Sequence, residues 1–187
     1  MRLFVALNFT KSERERVARA IRPVRDADLP VSWIDPESYH LTLKFLGNVD
    51  QRRLEGIKQV VEQVAAGTRR FELELKGFGA FPTIRKPRVL WVGANPSPAL
   101  RCLKQDVEWG LADRGFEKET RAFHPHVTVG RATGDEGAGV FRGLDELAGG
   151  IGFKAKIPLK WLDLIRSEST RSGTRYSLVH RGEFKRV

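Results

Sequence analysis

Two short segments, His40-Leu41-Thr42-Leu43 and His126-Val127-Thr128-Val129, repeat one pattern in the two halves of the chain. Each alternates a polar with an aliphatic side chain, the period of a β-strand with one buried face. Within each copy the imidazole and the hydroxyl therefore stand side by side on one face, and both aliphatics face the core. A chain with two such strands must bury both aliphatic faces and leave two His-Thr pairs on a polar surface. If the strands are neighbours, two imidazoles and two hydroxyls line one cleft.

The surrounding pattern is consistent with strands flanked by helices. Residues 2–9 read as a strand. Residues 11–28 read as a surface helix capped by Thr10 or Ser12 and bent by Pro23. Pro30 and Pro36 bracket a connection containing Trp33, and the strand from His40 runs to Leu46. Leu54, Ile57, Val60, Val61 and Val64 give helical spacing from Asp50 to about Ala66. A strand over 71–75, an irregular Gly/Pro stretch over 77–87, a strand over 88–93 and a helix over 98–114 stopped by Gly115 follow. The second motif forms a short strand ended by Gly130-Arg131. Beyond the glycine-rich loop 134–139, read as a mobile connection, come a short helix and strands over 152–165 and 174–180. This order predicts an α+β fold with mostly antiparallel pairing.

Composition narrows the partners. Thirty-three Lys and Arg against 23 Asp and Glu give a net charge of +10, which favours polyanions, nucleic acid first among them. No apolar run is long enough to span a bilayer, so no membrane partner is expected. The start lacks the apolar core and cleavage site of a signal peptide and reads as a strand, so a cytoplasmic location is expected; the chain is expected to be a monomer. Cys102 is the only cysteine. No internal disulfide is possible, a cysteine-based zinc site has no support, and this helical thiol is expected to be buried.

The duplicated set suits phosphodiester chemistry. In-line displacement at phosphorus needs a base on the attacking oxygen and an acid on the leaving one, and imidazole serves both near neutral pH. Threonine hydroxyls can donate to the non-bridging oxygens, where charge accumulates. No metal or other cofactor is needed.

These segments, with Arg2-Leu3-Phe4-Val5-Ala6-Leu7, Lys44-Phe45-Leu46-Gly47, Arg88-Val89-Leu90-Trp91-Val92-Gly93 and Pro125 to Arg131, carry a resemblance across nearly the whole chain. The chain resembles the two-histidine (2H) phosphoesterases, specifically the bacterial and archaeal RNA 2′,3′-cyclic phosphodiesterases, also called 2′-5′ RNA ligases. The resemblance implies one domain over 1–187 with two similar lobes about a pseudo-twofold axis and a central cleft. It implies a substrate RNA ending in a 2′,3′-cyclic phosphate, opened to a 2′-phosphate, and 2′-5′ ligation without ATP as a side outcome. His40 is assigned as proton donor and His126 as proton acceptor, and the reverse order is chemically equivalent at this stage. Thr42 and Thr128 would hold the phosphate. Arg131 and Phe45 match substrate-binding positions.

Strand parity opposes the last two. Phe45 and Arg131 have the parity of the buried aliphatics and reach the cleft only if each strand ends or bulges, which Gly130 could permit. Core packing of Phe45 stays open. Lys44 has the parity of His40 and Thr42, as a phosphate-attracting group or a solvated strand end. His124 reads as a rim residue and His180 as a surface one. Arg166, Arg171 and Arg175 read as RNA contacts or a solvated basic hairpin, and the tryptophans mainly as core. The alternatives are a 2H enzyme for small cyclic nucleotides or 2′-5′ oligoadenylate, and a non-catalytic RNA-binding module. The latter has no need of two matched imidazoles.

Overall fold

Alternating apolar residues build a single antiparallel sheet in a computed structural model that describes residues 1–134, 139–171 and 173–186. In chain order the elements are β1 (Arg2–Asn8), α1 (Lys11–Ala20), α2 (Arg22–Arg25), β2 (Val31–Trp33), β3 (His40–Asn48), α3 (Leu54–Gly67), β4 (Phe71–Thr83), β5 (Lys86–Ala94), α4 (Pro98–Ala112), β6 (His126–Ala132), α5 (Leu144–Gly149), β7 (Lys154–Leu159), β8 (Trp161–Thr170) and β9 (Gly173–Glu183). The sheet runs β7-β4-β5-β6-β3-β1-β8-β9, with β2 added to β6 beyond the end of β3. Four strands thus lie on each side of a β3–β6 seam, and each half carries one motif. The α+β class and the two-sided arrangement agree with the expectation.

The helix ends follow their capping residues. Thr10 and Glu13 form a reciprocal capping box on α1, and Pro23 falls in the short α2, so the expected long helix is two pieces. Asp50 caps a 3-10 turn that leads into α3, and Ser97 caps α4. Helices α3 and α4 pack on one face of the sheet, α3 against β8 and β9 and α4 against β3. The main core fills that layer: Leu3, Val5, Leu7, Leu41, Leu90, Val92 and Val127 from the sheet meet Ile57, Val60, Leu100, Leu103 and Leu111. No helix among the described residues is long and apolar enough to cross a membrane.

Several expectations need correction. The stretch 77–87 is not irregular: β4 continues to Thr83 and forms a hairpin with β5. A bulge at Gly77 breaks its alternation, and Gly79 is bare because the Trp91 ring lies over it, where a Cβ would sit 2.4 Å from a ring carbon. The segment read as one strand over 152–165 is two. Strand β7 pairs with β4 and β8 with β1, so the chain crosses the sheet at Lys160. Strand β2, within the Pro-bracketed connection, is an addition to the expected elements. Cys102 is on a helix as expected but exposed, because the inward stripe of α4 is Leu100, Leu103, Val107 and Leu111. Trp109 is likewise exposed on α4. Residues 135–138 of the glycine-rich loop lie outside the described residues.

Leu41 is fully buried at the seam, paired with Val127. Leu41→Ala should cost about 2–5 kcal/mol. Chemical denaturation should show a lower midpoint at unchanged m-value.

Candidate active site

The antiparallel pairing of Leu41 with Val127 determines what stands opposite what. One residue either way, it sets His40 across from Thr128 and Thr42 across from His126. These four side chains are half-buried on the face opposite the main core, while Leu41, Leu43, Val127 and Val129 are buried. His40, Thr42 and Thr128 line a cleft of about 350 Å³, which also takes in Phe45, Arg131 and Tyr176. His126 projects from the same face beside them.

Both imidazoles are held by the same device. His40 Nδ1 lies 2.7 Å from the Ser38 carbonyl, and His126 Nδ1 lies 2.6 Å from the His124 carbonyl. A carbonyl oxygen only accepts, so each Nδ1 carries the proton and each Nε2 is left for the cleft. Aromatic rings fix the planes. Phe4 and a near-perpendicular Tyr176 flank His40 at 4.9 and 5.1 Å between centroids, and Phe81 and Trp91 flank His126 at 5.0 and 6.3 Å. Burial pushes the His40 pKa down, against the Ser38 carbonyl that supports the charged form; Arg14 and His126 lower it further. Burial also lowers that of His126, helped by His124 and Arg131 and opposed by the His124 carbonyl.

Parity, the objection to Phe45 and Arg131, is reversed by a bulge in each strand. Against β1, Val5 pairs with Lys44 and Ala6 with Thr42, so Leu43 is an extra residue in β3. Against β5, Leu90 pairs with Gly130 and Trp91 with Thr128, so Val129 is the extra residue in β6. The two strands then share one sequence of burial: half-buried, buried, half-buried, buried, buried, exposed. The exposed sixth positions are Phe45 and Arg131, both on the cleft. Core packing of Phe45 is excluded by its 67% exposure.

The fifth positions go inward, and the reading of Lys44 as a cleft residue is wrong for that reason. Lys44 is 6% exposed, bonds Glu108 at 2.7 Å and donates to the Glu117 carbonyl. Glu108 also pairs with Lys104, which donates to the carbonyl of the bulged Leu43 at 2.6 Å. Burial works to raise the Glu108 pKa, but hydrogen bonds from Lys104, Lys44 and the Glu119 N–H outweigh it and leave it lowered. In β6 the equivalent position is Gly130, where a Cβ would meet Val31 at 2.7 Å and Trp33 at 3.0 Å. Its bareness lets β2 lie against β6.

Of the remaining candidates, His124 is exposed, and its backbone rather than its ring serves the site. His180 is half-buried and bonds Glu62 at 3.0 Å, on α3 rather than in the cleft. Arg166 pairs with Glu168, while Arg171 and Arg175 are exposed. Sequence reasoning missed the aromatic flanks and a polar group beside His40. Asn8, the sheet partner of His40, donates to fully buried Asp163, which Arg181 holds through two bonds of 2.7 Å, and Arg14 donates to Asn8. The inward Asp163 interrupts an otherwise apolar run, Leu162 to Ile165, and that was the available signal. Among the described residues no cluster of three or more His, Cys, Asp or Glu is placed to hold a metal ion.

A cleft on a nine-stranded sheet, with a matched His-Thr pair from each half, defines a class of bilobal phosphoesterase-like proteins. The 2′-5′ RNA ligase superfamily profile matches residues 13–162, and the chain belongs to that family. It is 32% identical over 182 residues to an RNA 2′,3′-cyclic phosphodiesterase of Methanothermobacter thermautotrophicus, covering 95% of each chain. A protein of that name from Aeropyrum pernix is 37% identical over 64% of this chain and 67% of its own. The fold matches TT0787 of Thermus thermophilus, with TM-score 0.80, 23% identity and 98% coverage of each. It also matches E. coli LigT complexed with 3′-AMP, with TM-score 0.77, 24% identity and 98% and 97% coverage.

Glu108→Ala should leave two cations without their counter-charge and destabilise the protein by about 3–5 kcal/mol. Lys44→Met together with Glu108→Leu should recover most of that in equilibrium unfolding. A double variant as unstable as Glu108→Ala would show that the ion cluster is not what matters there.

Proposed function

We propose that the chain hydrolyses RNA 2′,3′-cyclic phosphate ends to 2′-phosphates, with His40 as proton donor and His126 as proton acceptor. The observation that carries the reading is the quartet of two imidazoles and two threonine hydroxyls on one face of the β3–β6 seam. Relatives at 32% and 37% identity named RNA 2′,3′-cyclic phosphodiesterase support it, as does the +10 charge. The 187 residues then work as one bilobal unit, since each lobe contributes half of the chemistry.

The cyclic phosphate sits between the two His-Thr pairs. His126 Nε2 takes a proton from water as the water oxygen bonds to phosphorus. The P–O3′ bond breaks in line, and His40 Nε2, protonated at the outset, gives its proton to O3′. Thr42 and Thr128 donate to the non-bridging oxygens as they gain charge, and Arg131 offers its guanidinium to the same anion. Phe45, exposed at the cleft mouth, offers a face on which the terminal base stacks. Each task has a protein group, so no metal is required. An RNA 5′-hydroxyl in place of water would give a 2′-5′ linkage through the same displacement, without ATP.

His40→Ala and His126→Ala should each lower turnover by about 10²–10⁴-fold, and the double variant by less than the product. Retained RNA binding in these variants would separate lost catalysis from lost affinity. The pH dependence follows from the lowered pKa values. One imidazole must be charged and the other neutral, so kcat/KM peaks between two values that both lie below the ordinary histidine value of about 6.5. The optimum for kcat/KM should fall on the acid side of that value, and turnover should survive exhaustive chelation. Near-wild-type activity in either single variant, or activity restored only by a divalent ion, would end this mechanism.

A further inference from the structure

The two motifs are equivalent in sequence, but their neighbours across the sheet are not. The strand residue paired with His126 is Gly93, which has no side chain. The one paired with His40 is Asn8, on the same face of the sheet, where directly opposed Cβ atoms stand about 5 Å apart. The Asn8 amide is engaged at both ends: Nδ2 donates to Asp163 at 2.7 Å, and Oδ1 accepts from Arg14 at 3.3 Å. Asp163 is fully buried, and the Arg181 fork takes both of its oxygens. Two guanidiniums thus share one buried carboxylate, which leaves one positive charge in excess beside His40. Arg14 carries that excess. Its Nε is buried with no hydrogen-bond partner, and burial lowers its pKa despite Glu37, Asp163 and Glu13. Glu37 is exposed and Glu13 caps the Thr10 N–H, and among the described residues neither forms an ion pair with Arg14. Helix α1 also packs against the Pro36–Ser38 turn whose last carbonyl holds His40, so Arg14 is fixed relative to the ring.

We propose that Arg14, anchored through Asn8 and Asp163, is a positioning residue whose fixed charge makes His40 the proton donor of the pair. The proposal rests on the reading of the quartet as the phosphate site. A desolvated cation repels a neighbouring imidazolium more strongly than one in water does. The repulsion is present before His40 gives its proton to O3′ and gone afterwards. It therefore favours that transfer and opposes the reverse role, in which His40 would take a proton from water. The phosphate anion between the His-Thr pairs keeps His40 charged until the transfer. Burial is the main cause of the lowered His40 pKa, and Arg14 adds to it ahead of His126. The remaining charged or titratable groups near His40 are Arg2, Arg131 and Tyr176, which line the cleft. Arg2 and Arg131 are exposed and open to the substrate anion, whereas Arg14 stands outside the cleft lining and acts through His40.

The test uses the full chain. Arg14→Gln keeps a donor for Asn8 and removes the charge, while Arg14→Lys keeps the charge and loses the fork. On RNA with a 2′,3′-cyclic phosphate, Arg14→Gln should lower kcat about three- to thirtyfold at unchanged KM, less than the loss of the acid itself, and Arg14→Lys should restore most of it. An NMR titration of Arg14→Gln should find His40, and not His126, moved up toward the ordinary histidine value. A substrate with sulfur in place of O3′ separates the two roles, because the P–S3′ bond pair leaves with sulfur as a thiolate that needs no proton. On it the losses in Arg14→Gln and His40→Ala should vanish, and that in His126→Ala should remain. A higher kcat in Arg14→Gln, an unmoved His40 titration, or an equal loss on the oxygen and sulfur substrates would overturn the role of Arg14 while the quartet stands. A loss in His40→Ala that persists on the sulfur substrate would overturn the parent assignment of the donor, and this one with it.

Discussion

One backbone pairing, Leu41 with Val127, joins the two halves of the sheet and assembles the site. The alternation within β3 and β6 gives each strand a polar and an apolar face, but only their register brings the polar faces together. A slip of one residue would turn one strand's aliphatics to solvent and its histidine to the core. The apolar packing of Leu41 and Val127 against the helices is therefore also what aligns His40 with Thr128 and Thr42 with His126. Stability and chemistry depend on the same pair, from opposite faces of the sheet.

The bulges at Leu43 and Val129 then decide what reaches the cleft mouth. A regular strand would have sent Phe45 and Arg131 inward and Lys44 outward. The second aliphatic, as the extra residue of each bulge, reverses both, and each lobe accommodates its doubled inward position differently. One buries a lysine in an ion cluster with Glu108 and Lys104, and Lys104 also satisfies the bulged carbonyl. The other uses Gly130 and fills the space with Val31 and Trp33 from β2. The unlike sixth positions, an aromatic ring and a guanidinium, make a nearly symmetric cleft chemically directional. That suits a substrate with a base at one end of a phosphate and none at the other.

Much of this was legible in the sequence. The motifs, their strand assignment and the amphipathic helices follow from periods of two and 3.6 residues. What was not legible depends on residues distant in the chain. The bulges leave no local mark, since His-Leu-Thr-Leu-Lys-Phe reads as unbroken alternation, and so Lys44 was set on the wrong face. Gly77 and Gly79 read as loop punctuation, yet Gly79 is bare to receive Trp91 across the hairpin. The carbonyls of Ser38 and His124 that set the imidazole tautomers are invisible to any argument from side chains. Cys102 and Trp109 were expected inside by residue type, but the helix stripe alone decides which side of α4 is covered.

If His40 donates its proton to O3′ as proposed, only one bond of the cyclic phosphate can break. The most direct measurement is a single turnover of wild-type protein on an RNA oligomer with a 2′,3′-cyclic phosphate, in the presence of a chelator, with the product resolved by position. The quartet predicts one product, an RNA carrying a 2′-phosphate and a free 3′-hydroxyl. A 3′-phosphate, a mixture of the two, or no product until a metal ion is added would contradict it.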